Sequence, residues 1–198
     1  MHLFGNLGHI VILAPLALAL IGYLISVGAR RDAFAFAAAL IACLGTTLFT
    51  KLFFEVCGAR VPVFQIESPS GHESFSAAVY GGLAVLVATG RPKVQQAVIY
   101  AAAAVLILLI GLARVATGAH TPEEVEFGLL IGVASTVLFR ALRRDTALLP
   151  IPWREIALLS PFVAILALAA LVLVSHWTPE YVIDAVGKRF GAHFGLCV

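Results

Sequence analysis

The fold class is decided by long apolar runs such as VQQAVIYAAAAVLILLIGL, residues 94–112. This run contains no charged residue, and a helix needs about 20 such residues to cross the roughly 30 Å hydrocarbon core of a bilayer. The whole chain is 61% hydrophobic and 12% charged, which leaves too few polar residues to cover a water-soluble globule. Six apolar runs occur in all, at residues 9–27, 33–51, 74–89, 94–112, 123–142 and 156–176.

The runs are continuous, whereas the strands of a membrane barrel would alternate apolar and polar residues over about ten positions. The sequence therefore predicts an all-α, polytopic membrane protein with about six transmembrane helices in one bundle. Residues 1–198 are expected to form a single membrane-embedded domain. The first run is interpreted as a retained span, because Met1–Gly8 has no basic segment of the kind that opens a signal peptide.

The distribution of positive charge predicts the orientation. With six spans, the first, third and fifth connections share one face of the membrane. The positive-inside rule assigns that face to the cytoplasm. The predicted location is the cell membrane (the inner membrane in a bacterium), with both termini and the second and fourth connections outside the cytoplasm. Eight of the thirteen Lys and Arg residues support this assignment: Arg30, Arg31, Arg91, Lys93, Arg140, Arg143, Arg144 and Arg154.

Two polar loops on the predicted outer face hold an unusual concentration of ionisable residues. Their strings are Pro69-Ser70-Gly71-His72 and, starting at Arg114, R-x5-H-x3-E. Ionisable groups at membrane depth are costly to keep, so their default interpretation is functional. The basic and imidazole groups that we expect to form one site are Lys51, Arg60, His72, Arg114 and His120.

Both loops lead into helix starts that suit an anion. Ser70 and Glu73 match the S-x-x-E capping box, and so do Thr121 and Glu124. A helix N-terminus presents unpaired N–H groups and the positive end of the helix dipole, which favour a phosphate group. Gly71 leaves space for an anion to approach the backbone, and guanidinium groups pair well with phosphate oxygens. Glu73 is interpreted as a helix cap rather than as a catalyst.

Together these motifs resemble the type-2 phosphatidate phosphatase superfamily of membrane lipid phosphatases, which also includes the soluble vanadium haloperoxidases. The family pattern is K-x6-R-P, then P-S-G-H, then S-R-x5-H-x3-D. Here the second motif is intact at residues 69–72, and the third runs from Ala113 to Glu124 with the same spacings. The resemblance covers about residues 51–132, which we take as the motif-bearing core of the domain.

Three positions depart from the family pattern. The first motif would place arginine at Gly58, but the nearest arginine is Arg60, two residues later. Ala113 stands where the family has serine, which removes a hydroxyl donor to phosphate. Glu124 stands where the family has aspartate, which keeps the carboxylate on a longer side chain.

The resemblance implies a metal-independent phosphatase without a cofactor, acting on a lipid phosphate monoester or diphosphate. His120 would attack phosphorus and form a phosphohistidine, while Glu124 orients its imidazole. His72 would protonate the departing lipid oxygen and then help to activate water. The residues that would bind the phosphate are Lys51, Arg60, Ser70, Gly71 and Arg114.

Other interpretations stay open from the sequence. A lipid phosphotransferase would use the same residues. Ala113 and the displaced Arg60 would also suit a non-catalytic transporter or an anion-binding membrane protein. Undecaprenyl diphosphate, phosphatidate, phosphatidylglycerol phosphate and a lipid A phosphate all fit the site, so only a lipid phosphate class is predicted. The sequence indicates membrane lipid but no nucleic acid as a partner, and it favours no oligomeric state.

The cysteines and the remaining histidines carry less information. Cys43 falls within a predicted span, and Cys57 and Cys197 would both face an oxidising compartment, which is compatible with a disulfide. No metal site is expected, because no partner at a metal-binding spacing is found for His2, His9, His176 and His193.

Overall fold

The computed structural model describes residues 2–57 and 68–143, and this part of the chain is entirely helical outside its turns and loops. The all-α class that the sequence predicts is confirmed. The helices are α1 (His2–Leu7), α2 (Ile10–Ser26), α3 (Arg30–Cys57), α4 (Gly71–Ala88), α5 (Lys93–Ala116) and α6 (Pro122–Arg143). The connections between α1 and α2, α2 and α3, α4 and α5, and α5 and α6 are each at most five residues long.

Five of the six predicted runs coincide with helices α2 to α6, and the sixth, at residues 156–176, lies outside the described residues. Helices α3, α5 and α6 are long and apolar enough to cross a membrane. Helix α2 is apolar but has only 17 residues. The short helix α1 is a feature that the sequence pattern does not indicate. The structure therefore supports a membrane protein with three helices of spanning length in its described part.

The described bundle is apolar on its outside and carries ionisable groups within. Phe34, Phe49 and Leu130 are 74%, 69% and 67% exposed, whereas Asp32 and Glu73 are each 1% exposed. In water, both the exposed apolar surface and the buried carboxyls would be unfavourable. In a bilayer, apolar side chains face hydrocarbon and ionisable groups turn to the bundle interior. This polarity is the one expected of helices surrounded by lipid.

Helices α4 and α6 approach each other closely through a ridge of small residues. On α6, Gly128, Gly132 and Thr136 recur every four residues and so share one face of the helix. A side chain at Gly132 would overlap the carbonyl oxygen of Ser74 on α4. Small residues at such positions let membrane helices pack backbone to backbone. Because Glu124 lies one turn before Gly128 on the same face, this packing carries Glu124 to the N-terminus of α4.

Helix α3 meets α4 through a second stripe of residues four apart. The thiol of Cys43 donates to the carbonyl oxygen of Ser74 (3.4 Å), and the Thr47 hydroxyl donates to the Ser74 hydroxyl (2.9 Å). Lys51 is the next residue on this stripe, and its Cε lies 3.5 Å from where a Cβ of Gly71 would be. The polar contacts of the stripe thus place the Lys51 side chain beside the first residue of α4.

An ion pair closes the opposite end of the bundle. Arg143 Nε at the end of α6 donates to Asp32 Oδ2 near the start of α3 (3.0 Å), and Arg143 Nη1 donates to the Thr89 hydroxyl at the end of α4. Asp32 and Arg143 are 1% and 6% exposed. A buried ion pair fixes relative helix position more than it adds stability, since desolvation offsets its attraction. The pair therefore sets the register of three helices far from Lys51 and Gly71.

We expect Gly132→Ala to lower the Tm in detergent, because the added methyl group overpacks the contact with α4, at a cost of about 1–3 kcal/mol. Gly45→Ala is the matched control. Gly45 lies within α3, and no described atom lies within 4 Å of an added Cβ. That substitution should leave only the helix-propensity gain of up to about 1 kcal/mol. Thermal unfolding of both purified variants in one detergent measures the difference, and equal shifts would contradict the proposed closeness of α4 and α6.

Candidate active site

The carboxylate of Glu124 organises one end of the bundle. Its Oε2 accepts hydrogen bonds from His120 Nδ1 (2.8 Å) and from the backbone N–H of Thr121 (3.2 Å). Its Oε1 accepts from the backbone N–H of Ser68 (2.8 Å). The Glu124 carbonyl oxygen accepts from the N–H of Ser70 (3.0 Å). One residue of α6 therefore holds both the candidate nucleophile and the loop that leads into α4.

His120 presents one nitrogen to Glu124 and the other to the site. A carboxylate only accepts hydrogen bonds, so the His120–Glu124 contact requires the proton on Nδ1. Nε2 then carries the lone pair of the neutral ring. This atom is buried and has no hydrogen-bond partner among the described residues, and the side chain is 8% exposed. An oriented imidazole with a free lone pair is the arrangement that a histidine nucleophile needs.

Only one of the two predicted capping boxes is complete. The Thr121 hydroxyl accepts from Glu124 N–H (3.3 Å), and the Glu124 carboxylate returns a bond to Thr121 N–H, so this box is reciprocal. At α4, the Ser70 hydroxyl accepts from Glu73 N–H (3.4 Å). The Glu73 carboxyl oxygens, however, are buried without a hydrogen-bond partner in the described part of the chain. The interpretation of Glu73 as a side-chain cap is therefore wrong, because its carboxyl is turned into the bundle rather than back to Ser70.

The N-terminus of α4 retains donors for an anion. The N–H of Ser70 is used by Glu124, and the N–H of Glu73 is used by Ser70. The N–H groups of Gly71 and His72 belong to the first helical turn, which has no intrahelical acceptor. Backbone donors in this position and the positive end of the dipole favour a phosphate oxygen. Of the predicted backbone ligands, Gly71 is thus better placed than Ser70, whose N–H is already committed.

Several basic groups surround His72, which lies at the start of α4 before its apolar run. The pKa of His72 is lowered to about 3, first by burial and then by repulsion from Arg114, His9, His120 and Lys51. Unless an anion is bound nearby, the ring is therefore neutral at pH 7. An anion bound among these groups would offset the repulsion and raise the pKa of His72 again. The electrostatics of the site thus favour an anionic ligand and couple its binding to protonation of His72.

Two of the three predicted cationic ligands lie at the site. Lys51 contacts the start of α4, and Arg114 lies in the last turn of α5. Arg114 Nε is buried and has no hydrogen-bond partner within residues 2–57 and 68–143. Arg60 lies outside the described residues, as do Cys197 and the side chain of Cys57, so the phosphate role of Arg60 and the disulfide stay predictions.

Metal ligands are not gathered at this end of the bundle. Among the described residues, no three His, Cys, Asp or Glu side chains form a group that could hold a metal ion. Ala113, the position where the family pattern has serine, is fully buried on α5. The side chains that face the site therefore offer cations and imidazoles rather than a carboxylate cage. Metal independence stays a prediction of the sequence.

The fold brings His9, for which the sequence shows no partner at a metal-binding spacing, against the ring of His72. The rings of His9 and His72 pack edge to face, with centroids 5.2 Å apart and an interplanar angle of 75°. The signal in the sequence that points to this contact is topological, because the start of the first span lies on the same predicted face as both loops. Spacing along the chain could not show it, since 63 positions separate the two residues.

An oriented histidine–carboxylate pair, a helix N-terminus and two cations define an anion site suited to a phosphoester, at one end of an apolar helical bundle. The chain belongs to the PAP2 superfamily, whose family model matches residues 8–148. This confirms the resemblance seen in the motifs, and membership implies phosphatase-type activity on phosphoester substrates. No match was found among curated proteins or among solved structures.

Glu124→Gln should reduce kcat/KM by about 10- to 150-fold, because a charge-assisted hydrogen bond worth roughly 1.5–3 kcal/mol is lost. The amide would also present donors to groups that need an acceptor. Glu126→Gln is the matched control, since Glu126 is exposed on the same helix. Glu124→Asp should retain more activity than Glu124→Gln. Phosphate release from a soluble aryl phosphate measures all three variants, and equal rates for the Gln variants at 124 and 126 would contradict the orienting role.

Proposed function

We propose that the protein is an integral-membrane phosphatase that hydrolyses a lipid phosphate monoester or diphosphate through a phosphohistidine at His120. The observation that carries the proposal is the His120–Glu124 pair (2.8 Å). The Nε2 of His120 has no hydrogen-bond partner in the described part of the chain and lies near Lys51 and Arg114 around the α4 N-terminus. Family membership supports phosphatase chemistry, and the location of the pair supports the choice of nucleophile. The same pair favours an enzyme over an anion-binding protein, because simple binding requires no oriented nucleophile.

The first chemical step transfers the phosphoryl group to the enzyme. The lone pair of His120 Nε2 forms the P–N bond while the bond from phosphorus to the lipid oxygen breaks. The leaving oxygen takes a proton from His72, which the anionic substrate has helped to protonate. The Nδ1 proton of His120 stays directed at Glu124, whose charge stabilises the cationic ring of the intermediate.

The second step returns the enzyme to its starting state. Water gives a proton to the now neutral His72 and attacks phosphorus, and the P–N bond breaks to release phosphate. In both steps charge is spread over the equatorial phosphate oxygens. Lys51, Arg114 and the first N–H groups of α4 would stabilise that charge, together with Arg60 if its loop delivers it. Phosphoryl transfer depends mainly on such positioning and electrostatic stabilisation.

A lipid substrate is supported by the surroundings of the site. The site lies at the end of helices whose outer surfaces are apolar, so a phosphate at the membrane interface would reach it while the lipid tail stays in hydrocarbon. The distribution of Lys and Arg in the sequence supports access from outside the cytoplasm. These observations favour a lipid phosphate class over soluble phosphoesters.

The function is tested by comparing a long-chain lipid phosphate with p-nitrophenyl phosphate, both in detergent with excess chelator. Wild type should release phosphate from both. His72→Ala should lose about 10²- to 10⁴-fold in kcat/KM on the lipid phosphate, whose alkoxide needs a proton to leave. This parameter reports the steps up to release of the alcohol, so the later water step does not enter the comparison. The loss of this variant on p-nitrophenyl phosphate should be much smaller, since nitrophenolate leaves unprotonated. Equal losses on both substrates would remove His72 as the acid, and no turnover of any lipid phosphate by wild type would overturn the proposed function.

A further inference from the structure

The corner between α1 and α2 is held firmly against the rest of the bundle. The Tyr80 hydroxyl on α4 donates to the carbonyl oxygen of Leu7 (3.0 Å). Gly8 is buried, and a Cβ there would lie 2.6 Å from Ile110 on α5 and 3.7 Å from the Cβ of His72. No side chain larger than hydrogen fits at this approach without displacing Ile110. Two contacts from two different helices therefore fix the residue that follows Gly8.

That residue is His9, whose own ring is also fixed. His9 is the N-cap of α2, and its Nδ1 accepts a hydrogen bond from the backbone N–H of Val11 (3.2 Å). The backbone N–H of His9 donates to the Asn6 carbonyl oxygen (3.0 Å). The hydrogen bond to Val11 and the fixed corner between α1 and α2 therefore hold the His9 ring as a rigid surface. The His72 ring packs on this surface edge to face.

The contact matters because hydrogen bonds do not orient the His72 ring in the described part of the chain. No hydrogen bond within residues 2–57 and 68–143 fixes either nitrogen of its ring. A general acid transfers its proton only within hydrogen-bond reach of the leaving oxygen and in a suitable orientation. An edge-to-face ring contact supplies orientation without using a nitrogen, which leaves both nitrogens of His72 for proton exchange with substrate and water.

We propose that His9 is a positioning residue that holds the His72 ring in the orientation for proton transfer to the leaving group. The inference rests on the proposed function, since it assigns His9 a role only through His72. His9 thereby joins the α1–α2 corner to the chemistry, although no motif of the sequence includes it. Aromatic pairs of this geometry favour one orientation by an amount equivalent to about threefold to tenfold in rate.

Two substitutions separate the two roles of the His9 side chain. His9→Asn keeps an N-cap acceptor for Val11 but removes the ring. His9→Phe keeps a ring to face His72 but removes the cap acceptor. The Asn variant should keep the wild-type Tm and lose about threefold to tenfold in kcat/KM on a lipid phosphate. It should lose less than about twofold on p-nitrophenyl phosphate, which needs no acid. The Phe variant should lower the Tm yet keep the wild-type ratio of the two rates.

The possible outcomes distinguish a positioning role of His9 from a role as helix cap or as phosphate ligand. A wild-type ratio in His9→Asn, with an altered ratio only in His9→Phe, would show that His9 is merely a helix cap. Equal losses on both substrates in both variants would make His9 a phosphate ligand and would overturn the positioning role. In a His72→Ala background, His9→Asn should have no further effect on the ratio. If His72→Ala leaves the ratio of the two rates unchanged, His72 is not the acid and the proposed function fails. If His72→Ala changes the ratio but His9→Asn does not, His72 remains the acid and the positioning role of His9 is refuted.

Discussion

The hydrogen bond between His120 and Glu124 is the contact on which the rest of the site depends. The Glu124 carboxylate also accepts the Thr121 N–H that begins α6 and the Ser68 N–H of the loop entering α4. The start of α6, the position of the loop before α4 and the tautomer of His120 are thus set by the carboxylate of one residue, which is 5% exposed. A buried carboxylate is tolerated only when its oxygens are satisfied, so each of these partners also stabilises the others.

The packing of α6 against α4 brings the Glu124 carboxylate to the N-terminus of α4. The small-residue ridge of α6 starts one turn after Glu124, and the polar stripe of α3 ends at Lys51 beside Gly71. Both interfaces converge at the same end of the bundle, whereas the ion pair of Asp32 and Arg143 closes the other end. The apolar exterior faces lipid, and the interior holds Lys51 and Arg114 in surroundings of low dielectric constant. Cations in such surroundings would act most strongly on a phosphate.

Local signals in the sequence predicted much of this arrangement. Apolar runs gave five of the described helices, and the spacing of Thr121 and Glu124 gave a capping box that the structure confirms. The features that could not be predicted are contacts between helices that are distant in the sequence. The turning of Glu73 into the bundle depends on space between three helices, and the contact of His9 with His72 depends on how the first corner docks. Neither leaves a periodic signal along the chain.

The most direct test of the central claim is to identify the residue that carries phosphate during turnover. Enzyme reacting with a ³²P-labelled phosphoester would be denatured rapidly in alkaline detergent, which preserves phosphohistidine, and the labelled peptide would be mapped. The account predicts acid-labile phosphate on His120 in wild type and none in His120→Ala. With an aryl phosphate, whose leaving group needs no acid, His72→Ala should carry more label than wild type because water activation is slowed. Label on any other residue, or persisting label in His120→Ala, would contradict the account.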